Sequence, residues 1–105
     1  MLTAGSFSRV THVLLEYTLA DDYLDRRSEF RAEHLALASA AVERGEMVLA
    51  GALADPYDRA LFVWSADAAA AAEAFANADP YVANGLIRSW QIRTWNTMVG
   101  TAMPA

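Results

Sequence analysis

The run Met47-Val-Leu-Ala-Gly-Ala-Leu53, then Asp55-Pro-Tyr-Asp58, then Ala60-Leu-Phe-Val-Trp64 fixes the topology of this chain. Two short apolar runs flank a cluster of turn-forming residues, and that pattern predicts a β-hairpin. On its amino side, Arg9 to Tyr17 is rich in Val, Leu and Tyr and predicts a strand. Tyr23 to Arg44 predicts a helix, because Phe30, His34, Leu37, Ala38, Ala41 and Val42 recur at spacings of three and four. Asp21 and Asp22 sit where a helix start favours negative charge, and Gly45 closes the helix. On the carboxyl side, Asp67 is read as the cap of a helix through Ala68 to Ala78. Asp79-Pro80 opens a further short helical turn that Gly85 closes. Arg88 to Met98 predicts the last strand, with Trp90 and Ile92 alternating against Ser89, Gln91 and Arg93. The order β-α-β-β-α-β is the split motif of a ferredoxin-like α+β fold, a four-stranded antiparallel sheet with two helices on one face.

One domain accommodates all 105 residues, with its core over about 8–99. The composition is 55% apolar, slightly rich for a soluble domain. In the run 60–64, Leu61 and Val63 point to one face of the sheet while Phe62 and Trp64 point to the other. Val13 and Leu15 oppose Val10 and Leu14 in the same way. Two helices cover one face, so the second apolar face predicts a two-fold homodimer, sheet against sheet. Each Trp or Phe buried in that interface would contribute roughly 1.5–3 kcal/mol.

A net charge of −5 argues against a nucleic-acid partner, which calls for a concentrated basic face. No apolar run approaches the ~20 residues of a membrane span. Met1 to Ser8 lacks the basic segment and apolar core of a secretory signal, and the absence of cysteine fits a reducing compartment. A soluble, cytoplasmic protein without membrane association is expected.

Chemistry concentrates at two places. Arg27, Arg31 and His34 are spaced four and three apart, so they share one helical stripe bordering the apolar face of Phe30, Leu37 and Ala38. A guanidinium fork matches two oxygens of a carboxylate or enolate at once. Two nearby cations favour the neutral imidazole that a general base requires. An aspartate beside the ring would orient it and favour the imidazolium after proton uptake, and Asp79 is the candidate. Each residue also has a plain structural reading. A helical histidine beside a core packs with one hydrogen bond, and Arg27 and Arg31 pair with Glu33 or Asp25. Asp79 before Pro80 is a helix cap, and Tyr81 is a packing residue. His12 is read as structural. The histidines lack metal spacing, Asp21, Asp22 and Asp25 lack the rest of a calcium loop, and no glycine-rich phosphate loop occurs. Neither a metal nor a cofactor is expected.

The run Arg31-x-x-His34-Leu35, the strand ending in Ala50-Gly51, and Ala78-Asp79-Pro80-Tyr81-Val82-x-x-Gly85 before a closing strand resemble the YCII-related (YciI-like) family over roughly residues 8–99. The resemblance implies a ferredoxin-like subunit that pairs into a dimeric α/β barrel. It also implies that His34 and Asp79 form an active-site dyad in a pocket beside the barrel. The family is similar to muconolactone isomerase and includes a dehydrochlorinase acting on a chlorinated hydroxyhydroquinone. Those reactions share proton transfer at a ring bearing an enolate-like or phenolate-like oxygen. The expectation is a cofactor-free isomerase or lyase of a small cyclic or aromatic acid. His34 and Asp79 would be catalytic, with Arg27, Arg31, Tyr81 and Tyr17 as ligand-binding residues. The alternative is a non-catalytic dimeric module that binds a small ligand.

Overall fold

Strands form where β-branched and aromatic residues alternate, and helices where alanine and long unbranched side chains accumulate. The computed structural model describes residues 11–101. It contains β1 (His12–Leu19), α1 (Tyr23–Glu43), β2 (Met47–Ala52), β3 (Arg59–Ser65), α2 (Ala69–Ala78), α3 (Pro80–Ala83) and β4 (Ile87–Trp95). The four strands form one sheet in the order β2-β3-β1-β4, and every neighbouring pair is antiparallel. This is the ferredoxin-like arrangement, with β3 inserted between β1 and β2. The expected contributions of Arg9 and Val10 to the first strand, and the reading of Met1 to Ser8, lie outside the described residues.

The alternation seen in the sequence assigns the two sheet faces. Val13, Leu15, Tyr17 and Leu19 of β1 and Ala60, Phe62 and Trp64 of β3 are buried. Directly paired residues share a face, so Trp90 and Ile92 of β4 join them opposite Tyr17 and Leu15. The helices cover this side through Tyr23, His34 and Ala41 of α1 and Ala72, Phe75 and Ala76 of α2. Phe75 packs between Phe62 and Trp64, with ring centroids 5.2 and 5.6 Å away.

The opposite face is only half apolar. Leu14, Leu61, Val63 and Leu49 form its aliphatic part across β1, β3 and β2. Phe62 and Trp64 turn toward the helices, and among the described residues the large aromatic on the uncovered face is Trp95, paired with His12 and 44% exposed. Toward the other end of the sheet the face is polar. Glu16 accepts a hydrogen bond from Gln91 Nε2 at 2.9 Å and stands 3.9 Å from Arg59 Nε.

Several boundaries differ from the sequence reading. Asp67 does not cap α2: the cap position belongs to Ala68, which makes no side-chain cap bond. A turn closed by Ala68 N–H on the Ser65 carbonyl holds Asp67 one residue too early, where it accepts from Ser65 Oγ at 3.3 Å. β2 ends at Ala52 rather than Leu53, which already belongs to the hairpin connection. β4 ends at Trp95 rather than Met98, because side chains replace the ladder beyond it. There, Thr97 N–H donates to Thr11 Oγ1 at 2.8 Å, and buried His12 is hydrogen-bonded through Nδ1 to Thr97 Oγ1 at 2.6 Å. Gly45 and Gly85 close α1 and α3 with φ of 76° and 81°, a backbone that side chains with a Cβ rarely adopt.

Candidate active site

α3 begins where Pro80 can start a helix without a donor, and Asp79 is its cap. The Tyr81 N–H donates to Asp79 Oδ1 at 3.0 Å, as the capping reading requires. The same carboxylate does more than cap. It is fully buried, and it receives His34 Nδ1–H at 3.0 Å from each oxygen and the Tyr17 hydroxyl at 2.8 Å on Oδ2. Asp79 therefore joins β1, α1 and α3 at one point. A buried carboxylate is tolerable only with such partners, and here three donors supply them.

The second ring nitrogen of His34 makes no hydrogen bond among the described residues. A neutral imidazole that donates from Nδ1 keeps its lone pair on Nε2, so the Asp79 contact selects the tautomer. The ring is held among three aromatic neighbours. It stacks on Tyr81 at 3.9 Å and 8°, and meets the rings of Phe62 and Phe75 edge-on at 6.1 and 6.0 Å. Such packing locks the ring's orientation.

A pocket of about 480 Å³ opens against this group, within the size range of small-molecule sites. His34, Arg27 and Arg31 reach it from α1, Tyr81 from α3, and Tyr17 and Phe62 from the sheet. The shared stripe read from the sequence thus faces one cavity. Neither arginine forms an ion pair among the described residues, so the expected pairing with Glu33 or Asp25 is not made. Instead the Arg27 guanidinium lies over the Tyr23 ring at 5.7 Å and the Tyr57 ring at 5.9 Å. Tyr57 comes from the hairpin turn, in the second copy of the Asp-Pro-Tyr sequence.

The two tyrosines differ in role. Tyr17 is fully buried and commits its hydroxyl to Asp79, while its ring helps line the pocket. Burial first, and then the adjacent carboxylate, hold the Tyr17 phenol far above its ordinary pKa, so it remains a donor. The Tyr81 hydroxyl is buried without a hydrogen-bond partner among the described residues. Burial and the neighbouring Tyr23 push its pKa up, and the positive charges of Arg31 and Arg27 act against that rise. The bond from Tyr17 to Asp79 was not read from the sequence. A signal existed, since a tyrosine among the inward positions of β1 needs a buried partner for its hydroxyl. No cluster of three or more His, Cys, Asp or Glu residues suited to a metal occurs among the described residues.

The model of the YCII-related domain matches residues 10–96. A solved structure of 5-chloro-2-hydroxyhydroquinone dehydrochlorinase from Burkholderia phenoliruptrix AC1100, in complex with 2,5-dihydroxybenzoquinone, superposes with a TM-score of 0.65 at 16% identity, covering 80% of this chain and 92% of the other. At that identity the likeness is one of fold. No curated protein matches the sequence.

Proposed function

Because the chain belongs to the YCII-related domain family, we propose that it catalyses proton transfer on a small cyclic or aromatic acid, with His34 and Asp79 as the acting pair. The observation that carries this reading is the His34–Asp79 contact at 3.0 Å at the wall of an open pocket. His34 Nε2 takes a proton from a carbon next to a carbonyl group. The C–H electron pair forms a C=C bond and the carbonyl π pair moves onto oxygen, giving an enolate or phenolate. Arg27 and Arg31 lie on the same wall and stabilise the negative oxygen. Asp79 stabilises the imidazolium that forms, as a buried partner on Nδ1 does in general. Return of the proton to a different carbon gives an isomerase. Expulsion of a leaving group such as chloride from the adjacent carbon gives a lyase. The structural likeness to a dehydrochlorinase supports the second outcome as chemistry this fold can host.

The acting unit in this proposal is a homodimer joined through the open sheet face. The aliphatic patch of Leu14, Leu49, Leu61 and Val63 supports that pairing.

The test is a panel of lactones, hydroxyquinones and chlorinated phenols in deuterated water, followed by NMR for deuterium uptake and product. His34→Asn keeps an N–H near Asp79 and removes the base. It should lower turnover by at least about 100-fold while leaving the circular dichroism spectrum unchanged. Turnover that survives His34→Asn removes the proposal, as does saturable binding across the panel with no exchange in the unmodified protein.

A further inference from the structure

We propose that the pocket accepts a cyclic or aromatic monoacid that carries an elongated apolar tail, with its anionic head at Arg27 and Arg31 and the tail lying between α1 and β2. This substrate class rests on the proton-transfer reading of the same site. The pocket is a groove rather than a round cavity, for its lining runs from Tyr23 to Glu43, the full length of α1. Along that helix Arg27, Arg31, Leu35, Ala38 and Val42 follow spacings of four, four, three and four, which is one continuous stripe. The stripe changes character at His34. Before it stand two guanidinium groups; after it the stripe is apolar, with Leu35 44% and Val42 50% exposed. Met47 and Ala50 of β2 face them.

The groove is open because both walls carry small residues. Ala38 and Ser39 stand on the helix, and Ala50, Gly51 and Ala52 on the strand. The space of about 480 Å³ equals the liquid volume of about 16 waters, more than the roughly nine non-hydrogen atoms of a benzoate-sized acid occupy. From His34 to Val42 the helix advances about 12 Å, enough for a chain of roughly eight to ten carbons. Glu43 stands at the far end of the lining. It opposes a second carboxylate at the tail, which selects monoacids over diacids.

The experiment is a calorimetric titration of the full chain with straight-chain aliphatic monocarboxylates of increasing length, and with the matching dicarboxylates. Affinity should rise about fourfold per methylene, then level off near eight to ten carbons. The long dicarboxylates should bind at least tenfold more weakly than the monoacids of equal length. Ala50→Phe, filling the groove from the strand side, should abolish the gain beyond about six carbons. Ser39→Phe repeats the test from the helix side in case the first variant misfolds. Affinity independent of chain length in the unmodified protein overturns the inference, as does a length dependence that both fillers leave intact. Affinity that falls as protein concentration rises assigns the groove to a second copy of the chain, and also overturns it. Binding separates this claim from catalysis. Flat binding with His34-dependent turnover removes only the groove, whereas length-dependent binding with turnover indifferent to His34→Asn removes only the proton transfer.

Discussion

Asp79 accepts from Tyr17, His34 and the Tyr81 backbone, so its removal does more than uncap a four-residue helix. Loss of a cap alone costs about 0.5–2 kcal/mol. Asp79→Ala also strands two buried donors, and its cost in urea unfolding should reach about 3–5 kcal/mol. Asp79→Asn keeps an acceptor for Tyr81 N–H and should be milder in stability, yet it withdraws the negative partner of the imidazolium. A cost for Asp79→Ala within the cap range would mean that the three contacts are not cooperative. Tyr17 gives a prediction at alkaline pH. Its folded pKa lies above the ordinary value of 10, so above that pH the folded protein retains a proton that the unfolded chain has lost. Stability from this group is complete below pH 10 and falls as pH rises further, by about 1.4 kcal/mol per pH unit. Tyr81 shifts in the same direction and adds to the slope. Urea midpoints between pH 9 and 11 should therefore fall more steeply in the unmodified protein than in Tyr17→Phe.

At the scale of elements, α1 governs the site because one helix supplies His34, both arginines and the apolar stripe beyond them. Its stripe was legible from spacing alone, since a period near 3.6 brings residues three and four apart to one side. What spacing left open was the identity of the opposite wall. That depends on β2, whose small residues leave the groove unfilled. Helix ends give a contrasting pair of predictions. Asp67→Ala should change stability by less than about 0.5 kcal/mol, because Asp67 makes no cap bond to α2. Gly45→Ala should cost about 1–2 kcal/mol, because the φ of 76° must be kept to end α1 and turn into β2. Both are read from urea denaturation. A larger loss at Asp67 than at Gly45 would reverse the assignment of these ends.

For the whole molecule, the consequential surface is the sheet face that the helices leave uncovered. Its aliphatic part, Leu14, Leu49, Leu61 and Val63, includes a leucine 62% exposed at Leu49. Sedimentation at micromolar concentration should give a dimer, and Leu61→Glu should shift it to monomer by placing a charge in the interface. A monomer in the unmodified protein would leave this face solvated, with the polar link of Glu16, Gln91 and Arg59 extending across its other end. The order of elements was legible along the chain, because turn residues, alternation and helical periodicity are local and act within a few residues of one another. The family resemblance also paired His34 with Asp79 and the spacing put the arginines on the same stripe, while a cap was by itself a sufficient reason for Asp79. Packing brings Tyr17 to that pair and sets all three at hydrogen-bond distance, although Tyr17 and His34 lie 62 and 45 positions from Asp79 along the chain. Bringing them together depends on strand order and on how α1 and α3 pack over the sheet, and no local pattern encodes that geometry.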